Sequence, residues 1–92
     1  MDNPIELFTQ GKYDLATITK LLNGALEPTE LLPYSMLIDT YKGRRYAEML
    51  LKAAIHIGDP KNIAKATQFV DFHDRVINAL CRHYDDTRLI QD

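Results

Sequence analysis

The fold is decided by residues 46–63, YAEMLLKAAIHIGDPKNI, in which one helix stops and another begins. Gly58 supplies the left-handed conformation that commonly ends a helix. Asp59 is a preferred N-cap, and Pro60 suits the first position of the helix that follows. Because so short a connection joins only neighbouring helices, we predict a roughly antiparallel helical hairpin at this point.

The first arm of the hairpin is predicted to be a long helix from about Pro33 to Ile57. From Tyr46 to Ile57 its polar residues are Glu48, Lys52 and His56 only, and they fall on one narrow stripe. Such a helix is apolar on most of its circumference and needs cover on about three sides.

A second stripe on this arm consists mostly of small residues at 4-3 spacing, which suits close helix packing. Its members are Met36, Thr40, Gly43, Ala47, Leu50, Ala54 and Ile57. A mid-helix glycine such as Gly43 costs about 1 kcal/mol relative to alanine. Gly43 therefore predicts either a kink or a close helix crossing.

The second arm is predicted to run from Pro60 to about Tyr84. An unbroken 3-4 spacing marks its packed stripe, at Ile63, Ala66, Val70, His73, Ile77, Leu80 and Tyr84. Three further apolar residues widen that stripe: Phe69, Phe72 and Val76. Asp85-Asp86 ends the regular pattern, so residues 87–92 are predicted to be a frayed tail.

Two short helices are predicted before the hairpin. Asn3-Pro4 opens the first, which stops at Gly11, and Asp14 caps the second, which stops at Asn23-Gly24. The length of 92 residues suits one domain. We therefore predict a single all-α domain over residues 1–92, a small helical bundle of two short N-terminal helices plus a long antiparallel helical hairpin.

The charge and the cysteine content restrict the binding partners and the cellular compartment that we expect for the protein. A net charge of -2 gives no global attraction to nucleic acid or acidic lipid. Cys81 is the single cysteine, so no internal disulfide is expected, and we predict that it is a small buried residue. The polar start and the short apolar runs predict neither a signal peptide nor a membrane span, which makes the cytoplasm the expected location.

Two residue pairs invite a catalytic or metal-binding interpretation. His73-Asp74 is the pair that metal-dependent phosphohydrolases of the HD type use, but further ligands such as His56, Asp85 or Asp86 lack any motif context here. Packing of His73 within a helix interface is the preferred interpretation. Cys81 and His83 lie two residues apart on a helix and so point in different directions. No enzyme, metal, cofactor or small-molecule substrate is predicted.

The excess of apolar residues in the hairpin indicates a function more specifically than either residue pair does. It predicts a non-enzymatic protein-protein interaction or oligomerisation module, such as a small adaptor or regulatory protein, which pairs as a homodimer or binds another protein. The residues predicted to form the interface are Tyr46, Met49, Phe69, Phe72 and Val76. The opposing interpretation is a closed monomer in which the two N-terminal helices cover all of the apolar surface of the hairpin.

The alternative function is that of a small DNA-associated regulator. Lys42, Arg44 and Arg45 form a basic cluster flanked by Tyr41 and Tyr46, and cations beside aromatic rings can hold phosphate and stack on bases. The cluster is small, however, and the chain is close to neutral. A solvated basic patch that pairs with the acidic N-terminal segment explains the same residues and is preferred.

Overall fold

The computed structural model describes residues 14–27, 29–30 and 32–91, with Leu15 and residues 86–91 described by their backbone alone. This part of the chain contains three α-helices and no strand: α1 (Leu15–Leu22), α2 (Ser35–Ile57) and α3 (Pro60–Gln91). The all-α prediction is thereby confirmed. The helix predicted to open at Asn3-Pro4 lies outside the described residues.

The hairpin turn has the predicted chemistry. Gly58 adopts a φ of 82°, and its N–H donates to the Ala54 carbonyl at 2.8 Å, which ends α2. The Asp59 carboxylate accepts from the Lys61 N–H at 3.1 Å and from the Asn62 side chain at 2.9 Å, so it caps the start of α3. Both helix ends are therefore satisfied by residues next to the turn.

The two long helices pack against each other as an antiparallel pair. The Tyr84 hydroxyl donates to the Pro33 carbonyl at 2.9 Å, and further along the hairpin Arg44 binds Asp74. The partner number falls along α3 as the residue number rises along α2, which is the signature of antiparallel packing. The helical hairpin is therefore confirmed.

The short helix α1 begins where the sequence predicted. The Asp14 carboxylate accepts from the Ala16 N–H at 3.3 Å and from the Thr17 hydroxyl at 3.2 Å. At its other end Asn23 closes the helix, and Gly24 turns the chain with a φ of 71°. The predicted caps of this helix are confirmed.

Of two predicted boundaries, one was close and the other was wrong. Helix α2 begins at Ser35, two residues after the predicted start near Pro33, and the Pro33 carbonyl accepts from the Met36 N–H and the Tyr84 hydroxyl at its entrance. Helix α3 continues through Asp85-Asp86 to Gln91 instead of ending near Tyr84. Neither a glycine nor a proline follows Tyr84, and aspartate lowers helix propensity without stopping a helix.

The hydrophobic core sits at the open end of the hairpin. Ile18 and Leu21 of α1 meet buried side chains of both long helices, namely Met36, Leu37, Phe72, Val76, Ile77, Ala79 and Leu80. At 1.5 Å per residue, α1 extends for about 12 Å while α2 extends for about 34 Å. Helix α1 therefore covers only part of the hairpin, and its core residues lie away from the turn at Gly58.

Cys81 corrects another prediction, because its side chain is exposed rather than buried. It follows Leu80, which is fully buried, and one residue along a helix rotates the side chain by about 100°. Cys81 therefore points away from the core. His83, two residues on, is buried, so the expected divergence of these two side chains is confirmed.

Candidate functional site

The second half of α2 exposes most of its large apolar side chains. Between Tyr46 and Ile57, the buried residues are Ala47 and Ala54. The exposed fractions of the large apolar side chains are 58% for Tyr46, 62% for Met49, 40% for Leu50, 58% for Ile55 and 74% for Ile57. The cover on three sides that the sequence predicted is not provided by the described part of the chain.

Most of these exposed residues share one face of α2. Tyr46, Met49, Leu50, Ala53 and Ile57 follow the spacing i, i+3, i+4, i+7 and i+11, which places them in one stripe along the helix. We call this stripe the tip face, because it ends at the turn of the hairpin. Ile55 lies off this stripe.

The five predicted interface residues separate into two groups. Tyr46 and Met49 lie exposed on the tip face, and Phe69 is half-buried on α3. Phe72 and Val76 are only 6% and 0% exposed and belong to the core of the single chain. Phe72 and Val76 are therefore not exposed on the surface of the single chain, because α1 packs over the side of α3 that carries them.

Sequence reasoning missed two members of the tip face. Leu50 and Ile57 were assigned to the packed stripe of small residues, yet both are exposed. Leu50 lies four residues after Tyr46, and Ile57 lies seven residues after Leu50, so their spacing to Tyr46 was the available signal. The same spacing also fitted a buried stripe, and only the position of α3 separates the two.

The basic cluster is divided in the structure. Lys42 and Arg45 are exposed, whereas the Arg44 guanidinium donates to Asp74 from Nε and Nη2 and to Glu48 from Nη1. Hydrogen bonding to Asp74, with a further contribution from Glu48, raises the pKa of Arg44 above its ordinary value. Arg44 is thus occupied by carboxylates of its own chain and is poorly placed to bind phosphate.

His73 fills the closest crossing between α2 and α3. Its side chain is 2% exposed, its Nδ1 lies 2.9 Å from the Phe69 carbonyl oxygen, and the Phe69 ring meets it edge-on with centroids 4.6 Å apart. A Cβ atom on Gly43 would lie 2.5 Å from Nε2 of His73. The predicted packing role of His73 and the close crossing at Gly43 are both confirmed.

The burial of His73 predicts a pH dependence of stability. Burial lowers the pKa of His73 below the ordinary histidine value, against the opposing effects of the Phe69 carbonyl and Asp74. The unfolded chain therefore binds this proton more readily, so the free energy of unfolding should be highest above about pH 6.5 and fall as the pH drops toward the folded pKa. Urea unfolding at pH 7.5 and pH 5.5 measures this fall.

The control for this pH dependence is His73→Gln, which keeps a polar side chain but does not titrate. We expect the loss of stability between pH 7.5 and pH 5.5 to be smaller in this variant than in the wild type. Equal losses in the two proteins would show that His73 makes no contribution in this range. Carboxylates contribute little to the stability difference between these two pH values, because most of their titration lies below pH 5.

Other site types find little support in the described residues. Within them, no group of three or more His, Cys, Asp or Glu side chains is arranged to hold a metal ion. Asp74, the partner of His73 in the sequence pair, binds Arg44 instead. In the same part of the chain, no helix has a stretch of sufficient length and hydropathy to cross a bilayer.

No protein family, curated protein or solved structure matches this chain significantly. The function is therefore inferred from the tip face and from the charges around it.

Proposed function

We propose that this chain is a non-enzymatic helical interaction module that binds a protein surface through the tip face. The single observation that carries the proposal is the exposure of Tyr46, Met49, Leu50 and Ile57 along one stripe of α2. Single exposed apolar residues are common on monomers, but a contiguous stripe marks a binding surface. A module of this kind acts as an adaptor or a regulator, since it brings proteins together without chemistry of its own.

Burial of the tip face supplies part of the free energy that specific binding requires. Full burial of a large apolar side chain contributes roughly 1.5–3 kcal/mol, and the four large residues of the tip face are already partly covered. Their combined burial therefore supplies several kcal/mol, which must first offset the cost of association. A micromolar complex is the expected result if the partner also supplies polar contacts at the rim.

The proposal predicts that a polar tip face abolishes binding and leaves the fold intact. The variant carries Tyr46→Gln, Met49→Gln, Leu50→Gln and Ile57→Gln. We expect its helical circular dichroism to match that of the wild type, since glutamine is a good helix former and the sites are exposed. Proteins that co-purify with the wild-type chain from its source cells, or self-association seen by sedimentation velocity, should be lost.

The matched control carries glutamine at exposed apolar positions off the tip face. These are Ile38, Tyr41 and Ile55, which are 49%, 53% and 58% exposed. We expect the control to bind as the wild type does. If both variants keep every interaction of the wild type, or if the wild type shows none, the tip face is not a binding surface.

The DNA-associated alternative has less support than protein binding. Its strongest residue, Arg44, is engaged by Asp74 and Glu48, which leaves Lys42 and Arg45 as the exposed cations of the cluster. Two cations contribute little to binding that depends on neutralising several phosphates. A salt-dependent shift of duplex DNA that disappears with Lys42→Glu and Arg45→Glu would favour this alternative.

A further inference from the structure

We propose that the tip face receives an amphipathic helix of a partner protein whose polar flanks are acidic. The helix would lie in the groove between α2 and α3 that borders the tip face, next to the part of α3 that α1 covers at the open end of the hairpin. This inference rests on the proposed function and specifies the chemistry of the occupant.

The hairpin has two sides, and the tip face lies on the side of α1. Arg44 of α2 binds Asp74 of α3, so these two residues mark one side. Tyr46 follows Arg44 by two residues and is therefore rotated by about 200° from it. Phe72, which contacts α1 in the core, precedes Asp74 by two residues and is rotated from it in the same way. Tyr46 and α1 thus share the opposite side.

Among the described residues, those of α1 cover this side of the hairpin at its open end, and none lies over the tip face. Helix α1 extends for about 12 Å, and the tip face, from Tyr46 to Ile57, extends for a further 16 Å or so. Phe69, half-buried on α3, lies about one turn closer to the hairpin turn than the buried Phe72 and about two turns closer than the buried Val76. A third helix of about three turns fits this length, and its apolar stripe would rest on Tyr46, Leu50 and Ile57.

The charge around the groove selects an acidic partner. Residues 42–65 hold six cations, Lys42, Arg44, Arg45, Lys52, Lys61 and Lys65, against Glu48 and Asp59, which gives +4 in a chain of net charge -2. Glu48 is bound by Arg44, and Asp59 caps α3. Arg44 is in turn occupied by Glu48 and Asp74, so it adds little to the charge that a partner meets. The charged residues of this segment that are fully exposed are nevertheless all cations, so a partner meets mainly positive charge.

Two exposed lysines border the groove, one on each helix. Lys42 precedes Tyr46 by four residues, so it lies one turn along the same stripe of α2. Lys61 precedes Phe72 by eleven residues, which places it on the α1 side of α3. An acidic residue on either flank of a bound helix would thus approach a cation.

A second copy of this chain fits the groove less well. Two tip faces packed together would bring the +4 segments of both copies into contact, and like charges at a rim oppose association. An anionic membrane would meet the same exposed cations, so binding to anionic vesicles is an outcome that overturns the acidic helix. A separate acidic helix satisfies both the shape and the charge.

The test uses the full chain and two synthetic peptides of 18 residues. Both carry the same leucine stripe at helical spacing, and their flanking positions are glutamate in one and lysine in the other. We expect fluorescence anisotropy to show that the glutamate peptide binds at least ~10-fold more tightly at low salt. The difference should shrink as the ionic strength rises.

Charge-reversal variants locate the preference. Lys42→Glu with Lys61→Glu should remove or invert the preference for the glutamate peptide. The matched control is Arg75→Glu with Arg82→Glu, which makes the same change of charge on exposed residues of α3. Arg75 lies two residues before the buried Ile77 and Arg82 two residues after the buried Leu80, so both point away from α2 and lie nearer the open end of the hairpin than the tip face does. We expect the control to keep most of the preference.

The remaining outcomes separate this inference from the proposed function. Equal binding of both peptides, or an unchanged preference after Lys42→Glu with Lys61→Glu, would overturn the acidic helix and leave the interaction module standing. Self-association that is lost in the polar tip-face variant would assign the groove to a second copy, with the same consequence. Binding to vesicles of anionic phospholipid alone, or no binding and no self-association, would overturn both.

Discussion

Replacing Gly43 by alanine is expected to destabilise the chain by about 1–3 kcal/mol, although alanine is the better helix former. The added Cβ would lie 2.5 Å from Nε2 and 2.9 Å from Cδ2 of His73. The imidazole cannot easily move away, because it is buried, bonded to the Phe69 carbonyl and packed edge-on against two phenylalanine rings. Urea unfolding at pH 7.5 measures the change.

A double-mutant cycle with His73→Ala isolates the cause of the Gly43→Ala effect. With the imidazole removed, Gly43→Ala should become neutral or stabilise by up to about 1 kcal/mol, the ordinary gain from helix propensity. The sign of the effect would then depend on one side chain across the helix interface. A stabilising Gly43→Ala in the wild-type background would show that α2 and α3 do not approach so closely.

Replacing Phe72 by alanine is expected to cost about 3–5 kcal/mol, the usual range for a buried phenylalanine. The ring is 6% exposed and lies in the cluster that joins α1 to the hairpin. A chain of 92 residues has a free energy of unfolding on the order of 5–14 kcal/mol, so this variant should lose much of its stability. Thermal unfolding followed by circular dichroism measures the loss.

Phe69→Ala is the natural comparison, since Phe69 is half-buried on the same helix and nearer to the hairpin turn. We expect a smaller loss of stability there than at Phe72. The comparison of these two variants also bears on function. If Phe72→Ala no longer binds a partner, the loss of binding reports unfolding of the chain rather than disruption of an interface. If Phe72→Ala kept the wild-type midpoint, the placement of α1 over this part of α3 would be wrong.

Local sequence determined the helices and the turn. Gly58, Asp59 and Pro60 act through bonds within a few residues of themselves, so their effect does not depend on the rest of the fold. The cap at Asp14 is equally local. The end of α3 was misjudged because Asp85-Asp86 only weakens a helix, and such small preferences do not determine a boundary.

The tertiary structure alone decided which apolar residues are covered. Periodicity assigns residues to a helix face, but it does not say how far a third helix reaches along the hairpin. Helix α1 buries Phe72 and Val76 and leaves Tyr46, Leu50 and Ile57 exposed, since its eight residues reach only one end. The pairing of Arg44 with Asp74, thirty residues away, could not be predicted from the sequence for the same reason. Burial and long-range pairing depend on the relative positions of helices, which no local pattern contains.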